Sequence, residues 1–302
     1  MPTLVNTRAP IPVQAERMAR VQESIIRLQA QISTGERFNT PSEDPAAANR
    51  AAMLTRLQDR LTAEQRALDR STSRLNLAET ATTSAADALV RARELTLTAA
   101  NGTASPEDRQ VILAEIKVLR EQLLDSANAR DDSGRFLFAG SRNASPPYAP
   151  DATGAIQWQG FGDAAGAEAA SVGTAAAPRG PALFGDATTG AFASLDQLAA
   201  ALQEPDSELR NPQLAAVLIS LETGHERLLV GRASIGAGLA RLEGESNRIE
   251  SARLDLTEGL AAAKGLDLTA AIAELQSLQL TLNAAQQSFG SIFEGTLFDR
   301  LG

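Results

Sequence analysis

Apolar residues alternately three and four positions apart run through most of this chain. No other feature constrains the fold as much, because the spacing lays an apolar stripe along one side of a helix and leaves the other side polar. Met18, Val21, Ile25, Leu28 and Ile32 make the first stripe. Leu54, Leu57, Leu61, Leu68, Leu75, Ala78, Thr82, Ala85 and Leu89 make the second, and Ile112, Ile116, Leu119 and Leu123 a third. A fourth follows a strict register from Leu218 through Leu221, Leu228, Ile235, Leu242 and Ile249 to Leu260. Leu268, Ile272, Leu275, Gln279, Leu282, Gln286, Phe289 and Phe293 make the last. A helix striped in this way is marginal alone and needs partners along its length. The fold class expected is mainly α: long helices in an antiparallel, coiled-coil bundle formed by the N- and C-terminal regions.

Turn and cap residues punctuate the stripes. Gly35 ends the first helix, and Asp44-Pro45 offers a capping carboxylate followed by proline at the first helical position. The second helix is predicted from Pro45 to about Ala100, on the order of 80 Å at 1.5 Å per residue. Ser105-Pro106 with Asp108 reads as another capped start, so the second and third helices are predicted to form an antiparallel hairpin. Asn211-Pro212 reads as a third start. The helix beyond it carries six glycines between Gly224 and Gly259, which predict a bent or frayed rod.

Between residues 131 and 184 the periodicity gives way to Gly, Pro, Ala, Ser and Asp, with strand-like runs at Arg135-Phe136-Leu137-Phe138 and Gln157-Trp158-Gln159. This predicts a small inserted β-rich or irregular subdomain at 141–184, whose stretch 143–179 reads as removable without loss of assembly. The other parts are a terminal coiled-coil domain of 1–40 with 265–302 and a helical rod of 41–140 with 185–264. Both terminal stripes lack a local partner, so each is expected to bury the other. Met18, Val21, Ile25, Leu28, Ile32, Leu268, Ile272, Leu275, Leu282 and Phe289 are therefore the expected assembly seam, fully buried only when neighbouring subunits enclose it.

Composition removes most alternatives. The chain has no cysteine and one histidine, which removes disulfides, thiolate metal sites and multi-histidine centres. His225-Glu226 begins a zinc-helix motif, but Leu229 stands where the second histidine would be. A net charge of −9 without a basic patch argues against nucleic acid. No stretch has the roughly 20 apolar residues of a membrane span, and Arg8, Pro10, Pro12, Glu16 and Arg17 interrupt anything like a cleavable signal. Glu43 and Asp44 could be half of a carboxylate pair, but helix capping explains Asp44 and no second pair lies at a suitable spacing; Gly160-Phe161-Gly162 and Gly236-Ala237-Gly238 lack the setting of a dinucleotide fingerprint. Neither catalysis nor a cofactor is expected.

Several ordered motifs resemble the hook-associated relatives of bacterial flagellin. They include Gln31-Ile32-Ser33-Thr34-Gly35-Glu36-Arg37, Pro41-Ser42-Glu43-Asp44-Pro45-Ala46-Ala47-Ala48 and Asn101-Gly102-Thr103 with Asp108-Arg109. Leu119-Arg120-Glu121-Gln122-Leu123-Leu124, Gly134-Arg135-Phe136-Leu137-Phe138-Ala139-Gly140, Gly231-Arg232-Ala233-Ser234-Ile235-Gly236 and Leu280-Thr281-Leu282-Asn283-Ala284-Ala285-Gln286 continue the series. The resemblance spans nearly the whole chain and is weakest at 143–179. It implies a secreted structural subunit at the hook–filament junction, exported without a cleavable signal. The implied partners are other copies of itself, a hook-side junction protein, flagellin and an export chaperone. Val5-Asn6-Thr7 looks more like filament flagellin, which is the alternative reading; a surface-binding flagellin-like protein is another.

Overall fold

The structure is a computed structural model that describes residues 10–101, 105–160, 177–186 and 188–298. Along the chain come α1 (Pro10–Thr34), α2 (Pro45–Ala100), α3 (Pro106–Ala127), β1 (Tyr148–Pro150), β2 (Ile156–Trp158), α4 (Gly180–Leu183), α5 (Ala191–Gln203), α6 (Ser207–Lys264) and α7 (Leu268–Phe298). The fold is mainly α, as the stripes require. Two compact units divide it: a terminal unit of Met1–Arg60 with Ser251–Gly302, and a central unit of Leu61–Glu250.

In the central unit, α2 and α3 form the expected antiparallel hairpin. Arg91 Nε meets Glu115 Oε1 at 2.6 Å, and further from the turn Arg74 Nη1 meets Asp131 Oδ2 at 3.3 Å. The hairpin's second helix starts at a capping box, in which Ser105 and Asp108 each bond the other's backbone N–H. Helix α6 also runs antiparallel to α2, with Arg93 near Glu222 (3.3 Å) and Gln65 Nε2 bonding Ser246 Oγ (3.1 Å). Helix α5 packs on α3, where Arg120 Nε meets Asp196 Oδ1 at 2.6 Å. One continuous apolar cluster joins these helices through Leu68, Leu75, Leu89, Ile116, Leu123, Leu198, Leu221, Leu228 and Ile249.

Helix α6 departs from the sequence reading in two ways. It begins at Ser207, ahead of Asn211-Pro212, because the Asp206 carboxylate accepts from the Glu208 N–H (2.8 Å) and caps the helix there; Pro212 lies inside it. Despite its glycines it is unbroken as far as Lys264. At Gly231 a Cβ would stand 1.9 Å from Leu183 Cδ2, so the missing side chain is what lets α4 dock.

The segment between α3 and α5 is less peripheral than its composition suggests. The strands form an antiparallel pair with Tyr148 opposite Trp158, while Arg135-Phe136-Leu137-Phe138 contributes only the isolated bridge of Phe136 to Arg130. Tyr148 is 1% exposed, and its ring lies 5.7 Å from Phe184 and 5.3 Å from Phe192. Its hydroxyl donates to the Gly185 carbonyl at 2.9 Å, and burial raises its pKa above the usual tyrosine value. Asn128 holds the strand in place, donating to the Tyr148 carbonyl and accepting from its N–H. Tyr148, Ile156, Leu183 and Phe184 all belong to the central cluster.

Between α4 and α5 the chain turns on Asp186. Its carboxylate accepts from the Thr189 and Thr188 N–H groups (2.7 and 2.8 Å) and from both hydroxyls, and these bonds hold its pKa at about 2. A pKa lowered on folding adds stability that is fully present above the ordinary value of 3.8 and fades as pH falls toward 2. Carboxyl titration followed by NMR is expected to find Asp186 ionised down to about pH 2. A midpoint at the ordinary value would mean that the turn does not form in solution.

Candidate assembly interface

The terminal unit brings the two ends of the chain together. Helix α1 packs on α7, as the unpartnered stripes predict. Ile25 and Leu28 are 9% and 7% exposed, and Met18, Val21 and Ile32 are half-buried. All five seam residues expected on α1 therefore face inward. On α7 the covered face is Ala271, Leu275, Leu278, Leu282 and Ala285. It shares Leu275 and Leu282 with the expected seam, whereas Leu268 and Ile272 are 48% and 45% exposed on its flank. Phe289 lies outside the residues whose side chains are described. One expectation needs correction: Ile25 and Leu28 do not wait for neighbouring subunits, because α7 and the following turn already cover them within a single chain.

That turn is fastened to a second one. Gly35 leaves α1 with φ +70°, a conformation open to glycine at no steric cost. The Gly35 carbonyl then accepts from the Leu266 N–H (3.0 Å), and the Arg37 N–H donates to the Lys264 carbonyl (2.7 Å). The α1–α2 connection and the α6–α7 connection thus hydrogen-bond each other. Lys264 Nζ lies 3.4 Å from Glu36, and Arg37 reaches both Asp44 (3.2 Å) and the Ala263 carbonyl (3.3 Å). Beneath them Phe38 is buried against Ala51 and Ala263, with Ala47, Ala48 and Leu260 around it. Asp44 caps α2 as read from the sequence, accepting from the Ala47 N–H at 3.0 Å. The interlocked turns carry no periodic signal, so sequence reasoning missed them; the glycine at the end of each flanking helix was the available clue.

Chemically the unit offers surface rather than reactive groups. Ile26 (67%), Met53 (58%), Leu254 (64%) and Leu280 (71%) are exposed on it together with Leu268 and Ile272. An apolar groove of about 460 Å³ opens between α1 and α7, lined by Met18, Val21, Leu282 and Ala285 with Arg17 and Arg20 at its edge. Among the described residues there is no group of three or more His, Cys, Asp or Glu side chains able to hold a metal, and no helix long and apolar enough to cross a membrane.

Over residues 5–143 the sequence matches the bacterial flagellin N-terminal helical region. It is 32% identical over 234 residues to flagellar hook-associated protein 3 of Escherichia coli strain K12, an alignment covering 70% of this chain and 73% of that one. Flagellin A of Vibrio cholerae is 28% identical over 144 residues, covering 45% of this chain and 36% of its own length. The crystal structure of FlgL from Xanthomonas campestris shares the fold with a TM-score of 0.61 at 18% identity, covering 69% of this chain and 99% of the other.

Proposed function

The chain belongs to the family of flagellar hook-associated protein 3, and on that premise we propose that it is a structural subunit of the bacterial flagellum, joining hook to filament by self-assembly. One observation carries the choice between junction subunit and filament flagellin. The alignment with the Escherichia coli relative takes in 73% of that protein, whereas the one with flagellin A takes in 36%.

In this reading the terminal unit makes the inner contacts, with Met18, Val21, Ile25, Leu28, Ile32, Leu268, Ile272, Leu275, Leu282 and Phe289 as the assembly seam. Exposed residues of the unit fit that role, since burying one Leu or Ile side chain contributes about 1.5–3 kcal/mol. A few per neighbour hold a layer together. The proposed parts are 1–40 with 265–302 as inner core, 41–140 with 185–264 as rod and 141–184 as an inserted subdomain anchored in the central cluster by Tyr148, Ile156 and Leu183. Its neighbours are other copies, a hook-side junction protein and flagellin. A chaperone escorts it, it leaves the cell without a cleaved signal, and it needs neither cofactor nor catalysis. Tyr148 and Trp158 pack onto the central cluster, so they do not favour an adhesive surface.

Deleting the gene and imaging the cells tests the proposal. Expected are hooks that lack filaments, with flagellin shed into the medium. Filaments still attached to their hooks would overturn it, and intact junctions in cells that make no filament protein would assign the chain to the filament.

A further inference from the structure

Within the central unit, α2 and α6 are braced by other elements over part of their shared length and stand as a bare pair over the rest. Where α3 lies against α2 and α5 against α6, buried residues recur every three or four positions. Leu89, Ala92, Leu95 and Ala99 do so on α2, and Leu214, Val217, Leu221, Gly224 and Leu228 on α6. Ser73 and Arg74 still bond Asp132 and Asp131 of the chain after α3, and Gly231 receives Leu183 of α4. Beyond them burial thins to one residue per seven. Of the described residues 61–77 only Leu68 and Leu75 are buried, and of the described residues 239–250 only Leu242 and Ile249. Here the two helices hold each other, with Gln65 Nε2 bonding Ser246 Oγ at 3.1 Å.

The same stretch is hollow. An open groove of about 710 Å³ runs between the helices, with Leu68 and Leu242 in its floor, Asn76 on the α2 wall and Gly236 and Ala240 on the α6 wall. At Gly236, and again at Gly244, nothing lies within 4 Å of the place a Cβ would occupy. Packing accounts for Gly224 and Gly231, which face Leu89 and Leu183 at close range, but not for these two. A glycine inside a helix weakens it, and bends collect where a helix is weak and few buried contacts support it. Weak residues, missing braces and an adjoining void therefore coincide over about three turns of α6.

We propose that α6 carries a hinge between Gly236 and Gly244, at which it bends to widen and narrow the groove while buried Leu68 and Leu242 serve as the pivot. The braced part of α6, up to Gly231, stays fixed against α2, α4 and α5. One sequence can then present grooves of different width without breaking the helix or its core, as hinges elsewhere absorb a motion at a few residues. The hinge is a property of the chain itself and holds for a junction subunit and a filament subunit alike, so its failure would leave the junction reading untouched.

The full chain has no cysteine, so nitroxide labels can be placed on it in chosen pairs. Asn76→Cys with Ala240→Cys labels the two walls of the groove, and Leu97→Cys with Ala215→Cys labels the same helices where they are braced; all four positions are exposed. Double electron–electron resonance is expected to give a broader distance distribution for the groove pair than for the braced pair. Adding Gly236→Ala with Gly244→Ala, whose methyl groups meet open space, is expected to narrow the groove distribution to the width of the braced one. Hydrogen exchange gives a second measurement that needs no substitution: in the unaltered chain the α6 amides of 236–246 should exchange faster than those of 214–228. The two alanines should slow the former about twentyfold, the preference of a helix for alanine over glycine taken twice, and leave the latter unchanged. A groove distribution as narrow as the braced one, or one that the alanines leave broad, would overturn the proposal, as would uniform exchange along 214–246.

Discussion

A chain in which residues 143–179 are replaced by a short flexible linker is expected to lose its stably folded central unit. The sequence alone points the other way, because the stretch is loop-like and interrupts two helical patterns. Burial decides the matter. Tyr148 sits among Phe138, Phe184 and Phe192 at 1% exposure, and Ile156 at 2% joins the same cluster. Removing one large aromatic from such a site costs about 3–5 kcal/mol and a buried isoleucine about 2–5 kcal/mol. A domain's whole margin is about 5–15 kcal/mol. The deletion also takes away the strand that Asn128 brackets and leaves the Gly185 carbonyl without the Tyr148 hydroxyl. Thermal unfolding followed by circular dichroism checks this, with Tyr148→Ala expected to fall between the intact and deleted chains. A deletion chain that melts with the intact one would return the segment to the surface role its composition suggests.

The second large effect is expected at the ends. Leu28→Ala in the dilute monomer should cost about 2–5 kcal/mol, the usual range for truncating a leucine in a packed site. Leu28 is 7% exposed within one chain. Were it solvated until assembly, the cost would be close to zero. Hydrogen exchange separates the two cases: in Leu28→Ala the amides of α1 and α7 should lose protection while those of α3 and α5 keep theirs, because Leu28 belongs to the terminal unit alone. Unchanged protection in α1 and α7 would show that their pairing contributes no stability in the free chain. Leu275→Ala should have a smaller effect, since Leu275 is only half-buried.

What could be read from the sequence divides along physical lines. Helix starts at Pro45 and Pro106 were legible because the capping chemistry is local, a carboxylate or hydroxyl three residues from the N–H it accepts. The same locality misled at Asn211-Pro212, where Asp206 caps five residues earlier and a proline is accommodated inside the helix. The inward face of α1, with Ile25 and Leu28 buried and Met18, Val21 and Ile32 half-buried, was legible because its polar and apolar faces contrast sharply. On α7 apolar residues occupy more than one face, and periodicity could not say whether Leu268 and Ile272 or Ala271 and Leu278 turn toward α1. Arg74 was invisible in the sequence: it reaches Asp131 and the Phe136 and Leu137 carbonyls only once the chain after α3 has folded back. The interlocked turns at Gly35 and Gly265 were hidden for the same reason, as their partners lie at opposite ends of the chain.

Those turns have a consequence for the order in which the molecule can close. Glu36 and Lys264 are separated by 228 positions, against 24 for the Arg91–Glu115 contact of the hairpin. Bringing the distant pair together in a flexible chain carries about 2 kcal/mol more loop-closure entropy, so the hairpin has the head start. Once α2 and α6 lie side by side in the central unit, the separation to be closed shrinks to the stretches that lead out of it. A ribosome releases the N-terminal partner of the clasp long before the C-terminal one. Until α7 has been synthesised, α1 and its exposed apolar residues therefore lack their partner, and the two turns can interlock only after translation has passed Leu266.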